Sequence, residues 1–280
     1  MKDLIINGSR QLDIPLDDVQ VDKLMEYARL LVEWNEKINL TAITDDEGIV
    51  TKHFLDSLTA IKTGYVKGKV IDVGTGAGFP GLVLKIAKPE IKLTLLDSLN
   101  KRINFLKDVC EKVDINDVEF VHSRAEDGGK NRDYRGKFDT VVSRAVANLT
   151  VLSEWCIPFL KQGGYFLALK GPLAEQEVKD AKRAIKILGG QIEDIVEAEI
   201  PLTELKHKII VIKKVGQTPL KYPRKPGIAT KTPIGTCYNL VKKKNKIEYC
   251  RIIIAKSTCN MEILCYNSKC KADSINTVHF

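Results

Sequence analysis

The stretch DVGTGAGFPG (72–81) holds the residues best suited to chemistry. Glycine directly after a strand lets the backbone turn tightly and approach a ligand with no Cβ in the way. Gly74, Gly76 and Gly78 stand at alternate positions, and Pro80, a favoured first-turn residue, opens a helix behind them. Asp97 lies 23 residues past Gly74, at the end of the next apolar run. A carboxylate there can accept both ribose hydroxyl protons of an adenosine-containing cofactor.

By spacing alone, two cofactor classes stay open. Gly76, Gly78 and Gly81 satisfy G-x-G-x-x-G, and Asp97 follows at the distance a dinucleotide site expects. Three features favour S-adenosylmethionine instead. Asp72, inside the strand, would repel a pyrophosphate but could hold a cationic amino-acid moiety. Pro80 removes one N–H from a helix terminus that would otherwise cradle phosphate. A third acid, Glu126, follows the third strand. A sulfonium and an ammonium both want carboxylates nearby. The bland alternative is a glycine turn that merely joins strand to helix.

The elements that must position these residues alternate along the chain. Strands are expected at Lys69–Val73, Lys92–Asp97, 118–121, 138–143, 165–169, 191–200 and 207–213, with helices after the first, second, fourth and fifth. Strands separated by helices of this length form a parallel sheet covered on both faces. The last two are joined by too short a link for a parallel crossover, so they should be antiparallel. Residues 17–35 carry Val21, Leu24, Ala28, Leu31 and Val32 at helical spacing with Asp17 as N-cap, and a second helix is expected over 49–61. The chain divides into a helical cap (1–65), an α/β core (66–215), a basic proline-rich segment (216–235) and an atypical, poorly ordered extension (236–280).

The 280 residues carry a net charge of +8, with 44% hydrophobic and 29% charged residues, a globular composition. No apolar run approaches the roughly 18 residues of a membrane-spanning helix, and MKDLIINGSR lacks the apolar stretch of a secretory signal. The expectation is a cytoplasmic protein without membrane contact. Five of the seven cysteines fall in 236–280 and none forms a C-x-x-C pair, so no metal site follows. Cys110 and Cys156 sit within helical patterns and read as small buried hydrophobes. His122 and His207 flank strands and read as structural.

With these residues in view, the sequence resembles the bacterial 16S ribosomal RNA guanine-N7 methyltransferases, also called glucose-inhibited division protein B. The matching pieces are WNEKINLTAI (34–43), HFLDSL (53–58), DVGTGAGFPG (72–81), SRAED (123–127), SRAVANL (143–149), ALKG (168–171) and YPRKPG (222–227). They occur in order from about 34 to 233. The resemblance implies a doubly wound, mostly parallel seven-stranded sheet of the class I methyltransferase, Rossmann-like type behind an N-terminal helical cap. It implies transfer of a methyl group from S-adenosylmethionine to N7 of one guanine in the decoding region, with 16S rRNA or the small ribosomal subunit as partner; a monomer is expected. Cofactor positions carry over to Gly74 and Phe79, to Ala125 and Glu126, and to Arg144. Gly76, Gly78 and Asp97 are added from the loop and ribose arguments. The family usually ends soon after the proline-rich segment, so 235–280 inherits nothing.

The residues agree with that chemistry. Guanine N7 has an in-plane lone pair and no proton, so no general base is needed, only in-line orientation worth roughly 7–11 kcal/mol at best. After the fourth strand stands Ser143-Arg144-Ala145-Val146, a donor at a position where amine methylation would want acceptors. Guanine's Hoogsteen edge is all acceptors, which suits Arg144, contacting O6 rather than N7. No other catalytic residue is expected. His53 and Asp56 share a helical face, with a packing role at least as well supported as a chemical one. Lys101, Arg102, Lys170, Arg224 and Lys225 are candidate RNA phosphate contacts. Three rival readings remain: methylation of a small molecule or protein, an NAD-dependent oxidoreductase, and a non-catalytic RNA-binding module.

Overall fold

The computed structural model describes residues 1–144, 146–171 and 174–235, together with the backbone of three strands within 236–280. The chain splits into two compact units, Met1–Lys231 and Thr232–Phe280.

The first unit begins with the helices α1 (Lys2–Gln11) and α2 (Asp18–Asn35). Asp17 caps α2 as expected. Its Oδ1 accepts from the Gln20 amide at 2.8 Å, and the Gln20 side chain accepts from the Asp17 amide at 3.0 Å. That reciprocal pair satisfies two of the free donors of the first turn. α1 was not legible in the sequence, because Gly8-Ser9 is a poor helix interior. Tertiary packing explains the glycine: a Cβ on Gly8 would lie 2.2 Å from Leu55 Cδ1. The second expected helix is helical throughout but changes winding along its length, in four stretches of three kinds. It runs as α3 (Asp46–Ile49), a π-helical turn (Val50–Leu55), α4 (Asp56–Leu58) and a 3₁₀ turn (Thr59–Thr63). π turns are rare and occur often beside functional sites.

The core then alternates: β1 (Lys69–Val73), α5 (Gly81–Ala87), β2 (Lys92–Asp97), α6 (Asn100–Lys112), β3 (Val118–His122), α7 (Ala125–Gly128), β4 (Phe138–Arg144), α8 (Leu149–Cys156), β5 (Leu160–Lys170), α9 (Ala174–Ile187), β6 (Gly190–Glu199) and β7 (Lys206–Lys214), differing from expectation in the added α7 and in a β5 that begins at Leu160 rather than 165. The sheet order is β3-β2-β1-β4-β5-β7-β6. β1 to β5 pair in parallel, and β7 runs antiparallel to both β5 and β6. The chain leaves β1 toward β2 on one side and returns to β4 on the other. Loops at the carboxyl ends of β1 and β4 therefore diverge and open a crevice. A short helix, α10 (Ile228–Lys231), ends this unit.

In the second unit the described residues are β8 (Tyr238–Lys243), β9 (Lys246–Lys256) and β10 (Met261–Tyr266), an antiparallel sheet of order β10-β9-β8. The expectation for 236–280 falls in large part outside the described residues. No helix among the described residues is long and apolar enough to cross a membrane.

Candidate active site

The loop after β1 is held from both sides. The Gly74 and Thr75 amides donate to Leu96 O at 2.9 and 3.1 Å, stitching the loop to β2, and the Gly76 amide donates to Asp97 Oδ2 at 2.9 Å. Gly74, Gly76 and Gly78 all have positive φ, which only glycine adopts without strain. From the cap, the buried Tyr27 hydroxyl donates to Ala77 O, and its ring stacks on Phe79 with centroids 5.5 Å apart. A Cβ on Gly78 would lie 2.4 Å from that hydroxyl and 2.8 Å from Leu106 Cδ2. Gly78, expected against the cofactor, thus faces the cap and is not in the cleft wall; its glycine serves close packing.

Asp72 also departs from expectation. It is 0% exposed and does not line the cleft. Its Oδ2 accepts from Thr75 Oγ1 at 2.8 Å and from the Gly81 amide at 2.9 Å, which caps α5. Oδ1 has no partner. Burial pushes the carboxyl up to about 6, against the opposing hydrogen bonds and the charge of Arg144. Because the folded value lies above the ordinary 3.8, stability contributed by the protonated form is present below that value and is lost as pH rises through about 6. Asp72→Asn keeps one accepting oxygen and removes the buried charge. It should therefore stabilise the protein by about 1–3 kcal/mol at pH 7, with a clearly smaller gain at pH 5. Urea unfolding of both proteins at the two pH values measures this, and an equal gain or a loss at pH 7 sinks the argument.

The other expected cofactor residues converge on one cleft of about 540 Å³ at the carboxyl ends of the strands. Gly74, Gly76 and Phe79 come from the loop, Asp97 from the end of β2, Ala125 and Glu126 from α7, and Arg144 from the end of β4. Asp97 is buried; Oδ1 accepts from the Leu99 amide at 2.8 Å, and Oδ2 from Gly76 and from Arg102 Nη1 at 3.3 Å. Glu126 is buried too, with Oε1 accepting from the Gly227 amide at 3.2 Å. The cleft also has walls that sequence reasoning missed: Trp155 on α8, and Gly227 and Thr230 beyond β7. YPRKPG lies in the basic proline-rich segment 216–235, and nothing local in it signals that it returns to the strand ends.

Arg144 is fixed in place. Nη1 donates to Lys52 O at 2.7 Å and to Asp56 Oδ2 at 2.5 Å, and Nη2 lies 3.3 Å from His53 Nδ1. The guanidinium carbon sits 5.2 Å from the Phe79 ring centroid, a cation–π arrangement. His53 stacks on the same ring at 4.5 Å, and its Nε2 lies 2.8 Å from Thr41 Oγ1. Burial, and then the Arg144 charge, push His53 down to about 4, so it is neutral at pH 7. Asp56 Oδ1 meets His207 Nδ1 at 2.8 Å. That hydrogen bond raises His207 above its ordinary value. Burial would raise Asp56, but His207 and Arg144 outweigh it and hold the carboxylate low. His207, read as structural, is thus joined to the site. These residues also line a second cavity of about 600 Å³, with Asn148 and Lys170, that shares His53, Arg144 and Val146 with the first.

The candidate phosphate contacts divide. Lys101 and Lys225 are exposed. Arg102 is turned to Asp97. Lys170 is buried, its ammonium on Ala147 O at 2.5 Å and Glu177 at 2.8 Å. Arg224 forks onto the buried Glu154, Nε to Oε1 at 2.9 Å and Nη2 to Oε2 at 2.6 Å. The charges of these two are committed within the fold. Cys110 and Cys156 are buried and free, as read. Among the described residues, no group of three or more His, Cys, Asp or Glu could hold a metal ion.

An adenosine-type cofactor fits the cleft on its own chemistry. Its walls carry buried carboxylates at Asp97 and Glu126, and two buried donors that have no partner among the described residues, Arg102 Nε and Trp155 Nε1. Such atoms are rare in folded proteins, and a bound ligand is one way to satisfy them.

The GidB family profile, described as rRNA small subunit methyltransferase G, matches residues 20–206. The chain is similar to the "Ribosomal RNA small subunit methyltransferase G" of Alkaliphilus oremlandii (strain OhILAs), 53% identical over 84% of this chain and 99% of that one. It is likewise 53% identical to that of Clostridium novyi (strain NT), over 83% of this chain and 96% of the other. Among solved structures, a SAM-dependent methyltransferase from Aquifex aeolicus aligns with a TM-score of 0.46 at 19% identity, covering 66% of this chain and 98% of that one.

Proposed function

This chain belongs to the GidB family of rRNA small subunit methyltransferases, and on that premise we propose that it transfers a methyl group from S-adenosylmethionine to N7 of one guanine in the decoding region of 16S rRNA. The observation that carries the reading is Arg144, held by Asp56 and Lys52 O where the two cavities meet. Bound S-adenosylmethionine supplies a methyl group activated by a positive sulfur. Asp97 would accept from the ribose hydroxyls, and Glu126 would face the adenine end. Arg144, with donors left after its contacts to Asp56 and Lys52, would hold guanine O6 and so present N7. N7 carries no proton, so no side chain has to remove one, and the neutral His53 beside Arg144 is not asked to act as a base. A dinucleotide is disfavoured by α5: Pro80 has no N–H, and Asp72 occupies the Gly81 amide, so the first turn has no pair of free amides for a pyrophosphate.

The test is incubation with methyl-labelled S-adenosylmethionine and undermethylated small-subunit RNA, followed by mapping of the modified base. One labelled guanine, sensitive to the chemical cleavage specific to N7-methylation, is the expected result. Label on an exocyclic amine, or efficient transfer to a small molecule or protein without RNA, defeats the proposal.

Lys101 on α6 and Lys225 beyond β7 are the phosphate contacts the reading retains. Replacing both with Ala should weaken RNA binding and reduce the slope of log affinity against log salt by roughly 1.4–1.8. An unchanged slope, read from binding at several salt concentrations, would make them bystanders.

A further inference from the structure

Among the described residues, Trp155 is an aromatic donor in the cleft wall whose polar atom has nothing to bond. Its Nε1–H is buried without a hydrogen-bond partner. The other tryptophan, Trp34, shows what a satisfied indole looks like here, donating to Asp108 Oδ2 at 2.8 Å. An indole can only donate, and a buried donor left without an acceptor costs stability. Trp155 shares its stretch of wall with Ala125, Glu126, Gly227 and Thr230, because α8 packs against both α7 and α10. Glu126 Oε1 is already engaged by the Gly227 amide.

The direction of the cleft gives this donor a use. If Asp97 at the end of β2 takes the ribose, as in the reading above, the purine would extend past the end of β3 toward Glu126 and Trp155, which line the same cleft. Adenine presents an exocyclic amine, which donates, beside a ring nitrogen, which accepts. Guanine presents two acceptors on the corresponding Hoogsteen edge. One carboxylate and one obligate N–H donor on the same wall match adenine.

We propose that Trp155 is a cofactor-recognition residue: its indole N–H donates to the ring nitrogen of adenine beside the exocyclic amine, N1 or N7. The assignment rests on the S-adenosylmethionine reading above. It gives the chain a purine-specific contact from a helix that carries none of the expected cofactor positions. Trp155→Phe keeps the ring and deletes only the donor, so it separates hydrogen bonding from packing.

The experiment uses the whole chain and S-adenosylhomocysteine as the probe. Calorimetry should show Trp155→Phe binding it roughly tenfold more weakly than the wild type, with a melting temperature in the absence of probe at or above that of the wild type, since the unsatisfied donor is gone. In the ¹⁵N-labelled wild type, two indole N–H signals are expected, and loss of one in Trp155→Phe assigns it. Only that signal should move downfield and exchange more slowly with water when the probe binds. Of the 1-deaza and 7-deaza analogues of the probe, one should bind the wild type about tenfold more weakly, yet bind Trp155→Phe no worse than the probe itself does. Equal affinity of wild type and variant for the probe, an unmoved Trp155 signal, or neither analogue being distinguished by the wild type overturns the proposal while leaving the methyltransferase reading intact. A wild type that does not bind S-adenosylhomocysteine at all overturns both.

Discussion

Arg144→Ala should reduce methyl transfer by roughly 10²–10³-fold, the usual consequence of removing one preorganised donor from a desolvated site. The side chain is built into the wall by Asp56, Lys52 O and the face of Phe79, so no neighbour can swing in to replace it. Arg144→Lys should recover little. A lysine ammonium cannot reproduce a planar fork that donates to Asp56 and to the carbonyl of Lys52 at once and still lies flat over Phe79. The fold should survive, because Asp56 keeps His207 as a partner. Affinity for S-adenosylhomocysteine should change less than the turnover rate, since Asp97 and Glu126 are untouched. Asp56→Asn is the companion experiment: it leaves Arg144 present but poorly held, and should lose activity as well. Full turnover by Arg144→Ala on small-subunit RNA would remove Arg144 from the mechanism.

Arg224→Ala should cost about 3 kcal/mol of stability or more. Glu154, its partner, is 1% exposed, and its carboxylate takes the Arg224 amide as well as the guanidinium fork. Removing one member of a buried pair strands the other charge in the interior, at a cost of about 3–5 kcal/mol. In a protein of this size that is a fall of roughly 6–15 °C in melting temperature. Replacing both members by apolar residues of similar volume should restore most of it, because the stranded charge is then gone. The same variant should loosen the segment that brings Gly227 to Glu126, and so weaken cofactor binding. Its salt dependence of RNA binding should match the wild type. An unchanged melting temperature with a flattened salt slope would return Arg224 to the RNA-facing role that its sequence context suggested.

These two expectations treat alike-looking basic residues in opposite ways, and the difference shows how far the sequence reaches. The bounds of β1 and β2 were readable to the residue, since buried parallel strands are continuous apolar runs and a glycine loop ends the first sharply. The Asp17 cap was readable because its partner is three residues away. Pairing of β6 and β7 followed from the short link between them. By contrast, α1 was hidden, because Gly8 opposes helix locally and is explained only by Leu55 pressing against it. Gly78 was legible as a turn glycine, in keeping with its positive φ, but its packing role was not. Its lack of a side chain makes room for Tyr27 from the cap, which no spacing within the loop reveals.

The order of elements, the family likeness and the place of the cleft were determined by the sequence itself. Hydrophobic period, glycine spacing and link length are local properties that mark out the strands and the antiparallel pair, and the doubly wound order came with the family likeness. What the charged groups do was decided only by the tertiary structure. Asp56 meets His207 across 151 residues of chain, and Arg224 meets Glu154 across 70. Asp72 turns from the cleft to cap α5, Lys170 is spent on Glu177, and Trp155 arrives in the wall with its donor free. A charge buried without a partner is costly, so each one settles on whichever partner the finished packing brings within reach. That choice depends on the spatial order of strands and helices rather than on neighbours along the chain.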